Sequence, residues 1–379
     1  MMKAKNLILL STLLASAILP LRAADSKSFL ATLRHQRTLT STIPHNGDVN
    51  PYAILVAPVS AGKIQKGDVL IDNFNGLSNL QGTGTTIVNY NPTTKKLTTF
   101  AQVPQHLPGC PGGVGLSTAM TMLKTGWVIV GSAPSTDGTT RTLGAGCLIV
   151  LDSNGQLVTT WTSPNIAAPW GNMATIDNGS TATLFVSMSG FDVPGPSVRD
   201  PQTGFPVIVK KAKVLRINLS IPEGKPPVIT DQTVIADGLT QRADRDVFLI
   251  GPTGLALGPD GTLYVSDAMA NQIDAIPDAA TRTTSAGTGR VVTKGGLMRR
   301  PLALITAPNG NLLATNANNG QVVEINPTTG EQIAAQWIDN NPAQSPPGNG
   351  NLFGLAIKPD GSGFYYVEDD MNTLVEATR

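Results

Sequence analysis

Of the 379 residues only 14% are charged, and 27 basic residues nearly balance 26 acidic ones. That composition lacks the basic clusters that phosphate backbones need, so nucleic acid is excluded as a partner. Charge this far below the usual share of about a quarter, with 39 glycines and 28 prolines, points to many short strands joined by tight turns.

The chain opens with Lys3 and Lys5, an apolar run from Leu7 to Leu19, then Pro20 and the small residues Ala23 and Ala24. The run is too short for a stable span and suits an export signal cleaved after Ala23. Residues 1–23 are therefore expected to be removed, and residues 24–379 to form one domain in a periplasmic or extracellular compartment. Removal takes away Lys3, Lys5 and Arg22, moving the formal charge from +1 to −2. No later segment is long and apolar enough to span a bilayer.

RTLTSTI (Arg37 to Ile43) reads as a strand with no obvious partner. Three groups of strands follow, over about 53–100, 113–162 and 170–236. The last third repeats plainly: GPDGTLYVSDAMANQ from Gly258, APNGNLLATNANNGQ from Ala307, and KPDGSGFYYVEDDMNT from Lys358 with a two-residue insertion. Each copy follows a small apolar strand, and each carries an Asp-Gly or Asn-Gly pair whose residues tolerate positive φ in a hairpin turn. Blades are thus expected at about 252–293, 301–338 and 352–379. A period near 50 residues with four strands per unit is that of a propeller blade.

Six such units make an all-β, six-bladed β-propeller of four-stranded antiparallel blades. The sixth lacks a strand, because the chain ends after LVEAT. Residues 37–43 are expected to supply it, which closes the ring and removes an exposed sheet edge. A sandwich would need about seven strands, far fewer than the candidates present. Cys110 and Cys147, exposed to an oxidising compartment, would form one disulfide or remain two separate buried thiols; spacing alone does not choose.

In a propeller, loops joining successive blades and loops between second and third strands share one face. Those loops hold most of the excess length here, notably Ser132 to Gly146, Ser189 to Lys211, Asp237 to Thr253 and Asp339 to Leu352. A ligand or partner surface is expected there, around the channel mouth. Arg242, Asp244, Arg245 and Asp246 form the densest charge cluster and fall in one such loop. They would either hold a carboxylate or phosphate by paired hydrogen bonds or pair with one another. Arg300 and Asn172 join them as candidate ligand contacts, as does Trp170, whose indole would stack on a sugar or other ring at the mouth. The other tryptophans are expected in the core.

Asp72, Asp267, Asn316 and Asp369 share one repeat position at the end of a second strand. Their oxygens would either converge on a divalent cation such as calcium or each close a local turn. The three histidines, His35, His45 and His106, all fall in the first third and have no acidic partner in sequence. No phosphate-binding glycine loop or nucleophile elbow is present.

The segment GPTGLALGPDGTLYVSDAMANQIDAI resembles NHL repeats and the related senescence-marker and gluconolactonase propellers. The resemblance is clear from Gly251 to Ala377 and faint from Ala53 to Ala236. It implies a six-bladed propeller. For the gluconolactonase-type enzymes it also implies a central divalent metal held by acidic and Asn side chains, with an Asn-Gly pair opening an inner strand. Here the corresponding pairs are Thr253-Gly254, Leu302-Ala303 and Phe353-Gly354, while Gly171-Asn172 has the order reversed. Streptogramin-lyase-like propellers add a His base beside the metal, whereas no His here sits in a blade strand next to an acidic partner. The leading expectation is therefore an exported, non-catalytic scaffold for a protein, small-molecule or carbohydrate ligand. The alternatives are a metal-assisted lyase or lactone hydrolase, and a structural module of an envelope assembly.

Overall fold

The computed structural model describes residues 27–245, 247–339, 341–349 and 354–379. The expected export signal and Asp246 lie outside them. Among the described residues, twenty-five strands form six antiparallel sheets, each running from an inner strand to an outer one. Blade one comprises Val49–Val56, Val69–Asn75, Thr86–Asn91 and Lys96–Gln102. Blade two comprises Leu116–Met122, Val128–Ser132, Cys147–Leu151 and Leu157–Trp161. Blade three comprises Ala174–Asp177, Thr181–Met188, Val209–Ser220 and Val228–Ala243, with Leu249–Ile250 added at its edge. Its outer strand runs seven residues past the expected Ala236, through a series of register shifts.

Blade four comprises Pro252–Leu257, Leu263–Asp267, Gln272–Ile276 and Arg290–Lys294. Blade five comprises Pro301–Thr306, Leu312–Asn316, Gln321–Ile325 and Gln332–Trp337. Blade six comprises Leu355–Ile357, Gly363–Glu368 and Thr373–Thr378, completed by the N-terminal strand His35–Ser41. That strand pairs from His35 opposite Thr378 to Ser41 opposite Thr373. Ring closure by the N-terminus is thus as expected, with the strand displaced two residues towards the start of the chain.

Second strands are largely buried, as in Val69–Asn75 and Leu312–Asn316, because neighbouring blades cover both faces. Outer strands such as Lys96–Gln102 are largely exposed. Small hydroxyls stitch adjacent blades at the channel. Ser266 Oγ accepts Gly254 N–H at 2.6 Å and donates to Leu302 O of the next blade at 2.5 Å. Ser187 Oγ likewise accepts Gly171 N–H at 3.0 Å and reaches Thr253 O at 3.4 Å. At this seam a Cβ on Gly171 would lie 1.3 Å from Thr253 O, so only glycine fits.

The stretch before the closing strand is also built in. Phe29, Leu30 and Leu33 are buried in the core shared by blades five and six. The buried Glu324 carboxylate accepts the Phe29 and Leu30 amides at 2.8 and 2.9 Å. The two cysteines form a disulfide, Cys110–Cys147, tying the connection between blades one and two to the third strand of blade two.

Candidate functional site

An apolar plug closes the channel. Tyr52 stacks on Phe74 at 4.5 Å, and Phe74 meets Trp170 and Phe248 edge-on at 5.5 and 5.3 Å. Phe248 reaches this position with φ +65°, a left-handed conformation that non-glycine residues seldom adopt. The connection from blade three to blade four therefore points Phe248 into the plug and leaves Arg242, Asp244 and Arg245 beside a cavity of about 1090 Å³. Loops from blades two to six build the cavity walls, joined by Arg242 from the end of the outer strand Val228–Ala243.

Five arginines line this cavity: Arg199, Arg242, Arg245, Arg299 and Arg300. The chain has thirteen in all, and no lysine among the described residues takes part. A planar guanidinium matches an oxyanion with two parallel N–H donors, whereas an ammonium acts as a point charge. Asp244 is the single carboxylate among the described lining residues. Arg242 and Arg300 share it, each at 3.4 Å. Arg242 is only 8% exposed, and its Nε has no hydrogen-bond partner among the described residues. A buried guanidinium left short of acceptors is costly, and an incoming oxyanion would relieve that cost.

Backbone contacts hold the arginines in place. Asn316 Oδ1 accepts Arg299 N–H at 2.9 Å while its Nδ2 donates to Leu297 O at 2.9 Å. Asn271 Oδ1 accepts Arg300 N–H at 2.8 Å, where φ is +61°. Thr240, two residues before Arg242, donates its hydroxyl to Asp267 Oδ1 at 3.2 Å.

Of the expected ligand contacts, Arg242, Arg245 and Arg300 come together here. Trp170 does not face the mouth: it has no exposed surface and is part of the plug, packed against Phe74 and Phe248. Asn172 sits against the inner strands. Its Nδ2 donates to Leu255 O at 2.8 Å and Leu304 O at 3.2 Å, and Oδ1 accepts Leu304 N–H at 3.3 Å. Trp337, expected in the core, is 58% exposed. Arg199, Arg299 and Phe205 carried no signal in sequence beyond their residue type.

The four candidate metal ligands do not share a position. Strand register pairs Asp267 with Pro252 and Asn316 with Pro301, and the matching pair in blade one is Asn73 with Pro51. In blade six the matching residue is Glu368, the one opposite Thr373 as Asp267 is opposite Gln272. Asp72 and Asp369 are each one residue away, and in a strand one residue changes the face. Asp72 instead caps Ala53 N–H at 2.8 Å, in the place Ser266 holds in blade four. Asp267 accepts Ala270 N–H at 3.0 Å, and Asp369 accepts Asp370 N–H at 2.9 Å. Burial raises the pKa of Asp72, Asp267 and Asp369, and for Asp369 the charge on Asp370 adds to it. Side chains at different register positions, with no group of three His, Cys, Asp or Glu disposed for a metal among the described residues, do not fit a shared cation.

No protein-family model and no curated protein matches the sequence. Solved structures do match in fold. A gluconolactonase from Xanthomonas campestris aligns with TM-score 0.55 at 13% identity, over 94% of this chain and 93% of its own. The calcium-binding protein regucalcin from Agrobacterium tumefaciens aligns with TM-score 0.51 at 13% identity, over 90% and 93%. The PQQ-bound aldose sugar dehydrogenase from Streptomyces coelicolor gives 0.51 at 14%, over 91% and 98%. The chain thus shares its six-bladed propeller architecture, along nearly its whole length, with gluconolactonase, regucalcin and sugar dehydrogenase structures.

Proposed function

We propose that the mouth cavity is a small-molecule site for an organic oxyanion, a carboxylate or a phosphate ester, gripped by arginine. The observation that carries this reading is Arg242: nine-tenths buried, facing a cavity with four more arginines, and sharing one carboxylate with Arg300. Titration calorimetry of the full chain with inorganic phosphate and with acetate tests it. Binding that weakens with salt, and by about tenfold to a hundredfold in Arg242→Gln, is the expected result. Salt-independent binding, or none, would remove the proposal.

The same site supports a second reading, that of a lyase or lactone hydrolase. Opening a lactone develops an oxyanion and ends in a carboxylate, and preorganised guanidinium donors stabilise both. The propeller structures that resemble this fold, a gluconolactonase among them, favour this reading over a purely passive scaffold. Metal assistance from Asp72, Asp267, Asn316 and Asp369 is not part of it, since strand register does not bring them to one shared position. Release of acid from a panel of lactones, lost in Arg242→Gln, separates turnover from simple retention. Export remains part of the proposal, and the Cys110–Cys147 bridge is the feature that supports an oxidising compartment.

A further inference from the structure

We infer that the ligand of this cavity carries a flat apolar body next to its anionic head, as an aryl phosphate or aryl carboxylate does. The inference rests on the oxyanion reading and adds to it the second half of the molecule.

The cavity lining also has an apolar part. Phe205, Pro206, Pro196 and Pro346 form it. Phe205 is 61% exposed, although burying a phenylalanine is worth about 1.5–3 kcal/mol. Its ring lies 5.2 Å from the Arg242 guanidinium, close enough for cation–π attraction. The contact occupies part of the ring and leaves most of it open.

The ring is also held in place. It sits in the connection between Thr181–Met188 and Val209–Ser220, the longest second-to-third-strand connection in the chain. Phe205 O accepts Asp200 N–H at 2.9 Å, and Val207 N–H donates to Val198 O at 3.0 Å. Arg199 Nη1 donates to Gly204 O at 2.7 Å, tying the adjacent turn. An aromatic presented on a braced hairpin, above a buried guanidinium and between prolines, has the layout of a platform for a second ring. The head of such a ligand would reach Arg242 and Arg300 while its body covered Phe205. A cavity of about 1090 Å³ is of small-molecule size rather than the extent of a protein interface.

Methyl phosphate and phenyl phosphate carry the same head and differ only in the body. Calorimetry on the full chain is expected to show phenyl phosphate binding at least about tenfold tighter, a difference of about 1.4 kcal/mol. Phe205→Ala should abolish that preference and leave methyl phosphate within about twofold. Phe205→Leu should restore only part of it. The side chain is exposed, so neither variant threatens folding. Equal affinity for the two esters in the unaltered protein would overturn this inference and leave the oxyanion site standing. A parallel loss for both esters in Phe205→Ala would also overturn it, since the ring would then act only through Arg242. Failure of both esters to bind would remove both proposals together.

Discussion

Arg37 and Glu376 face each other across the seam where the first strand of the chain meets the last. They are register partners, and Arg37 Nη2 lies 2.5 Å from Glu376 Oε1. Lys358 Nζ holds the other carboxylate oxygen at 2.8 Å. Burial alone would raise the Glu376 pKa, but the hydrogen bonds from Lys358 and Arg37 outweigh it and hold the carboxyl below its ordinary value. A depressed folded value gives stability that is present above the unfolded carboxylate range and lost as pH falls through the folded value. Glu376→Gln should therefore cost about 1 kcal/mol at pH 7 and nothing near pH 2. Urea unfolding at the two pH values measures this, and an equal cost at both would refute it.

Glu324 fixes the arm that precedes the closing strand. Besides the two amides it accepts Ser28 Oγ at 2.7 Å and the side-chain amides of Asn309 and Asn311 at 2.8 Å each. Glu324→Ala strands those donors, at a cost of about 1–3 kcal/mol. Trypsin should then cut at Arg34 faster than in the unaltered protein. Unchanged protection of that bond would show that Phe29, Leu30 and Leu33 hold the arm by packing alone.

Asp72 has the opposite sign. Burial raises its carboxyl to about 8, against hydrogen bonds from the Ala53 and Tyr52 amides that lower it. Oδ2 is buried with no partner among the described residues. The folded state binds the proton more tightly than the unfolded one, so this contribution is full below about pH 4 and declines as pH rises towards 8. Asp72→Asn keeps the oxygen that caps Ala53 and carries no charge. It should gain about 1–3 kcal/mol over the unaltered protein at pH 8 and little at pH 4. Loss of stability at both pH values would count against a neutral Asp72.

The Cys110–Cys147 bridge spans 37 residues. A loop of that length constrains the unfolded chain by about 4 kcal/mol. The double Cys→Ser variant should unfold at correspondingly lower denaturant with similar spectra when folded. A shift below about 1 kcal/mol would mean that strain or residual structure offsets the entropy gain.

Repetition made the fold legible. Turn pairs such as Asp260-Gly261 and Asn309-Gly310 mark hairpins locally, so six units could be counted without knowing any long-range contact. Ring closure followed from the missing fourth strand of the last blade. The candidate site was only partly legible. Arg242, Arg245 and Arg300 attracted notice by charge in a charge-poor chain, but Arg199 and Arg299 joined them only once loops from five blades converged. Asp72 and Asp369 resemble Asp267 in residue type and approximate place, yet strand register puts each of them one residue from the matching position. Trp170, beside Pro169, read as a rim residue because the sequence does not show how much of the channel Phe248 leaves open.

By itself, then, the sequence determined the number of blades, their strand order and the need for an N-terminal strand to finish the ring, because hairpin chemistry and period-two patterning are local. Tertiary structure alone decided which side chains fill the channel, which cap their own turns and which arginines meet in one cavity. Those outcomes depend on bulges and loop paths. A shift of one residue in either turns a side chain from the core to the mouth.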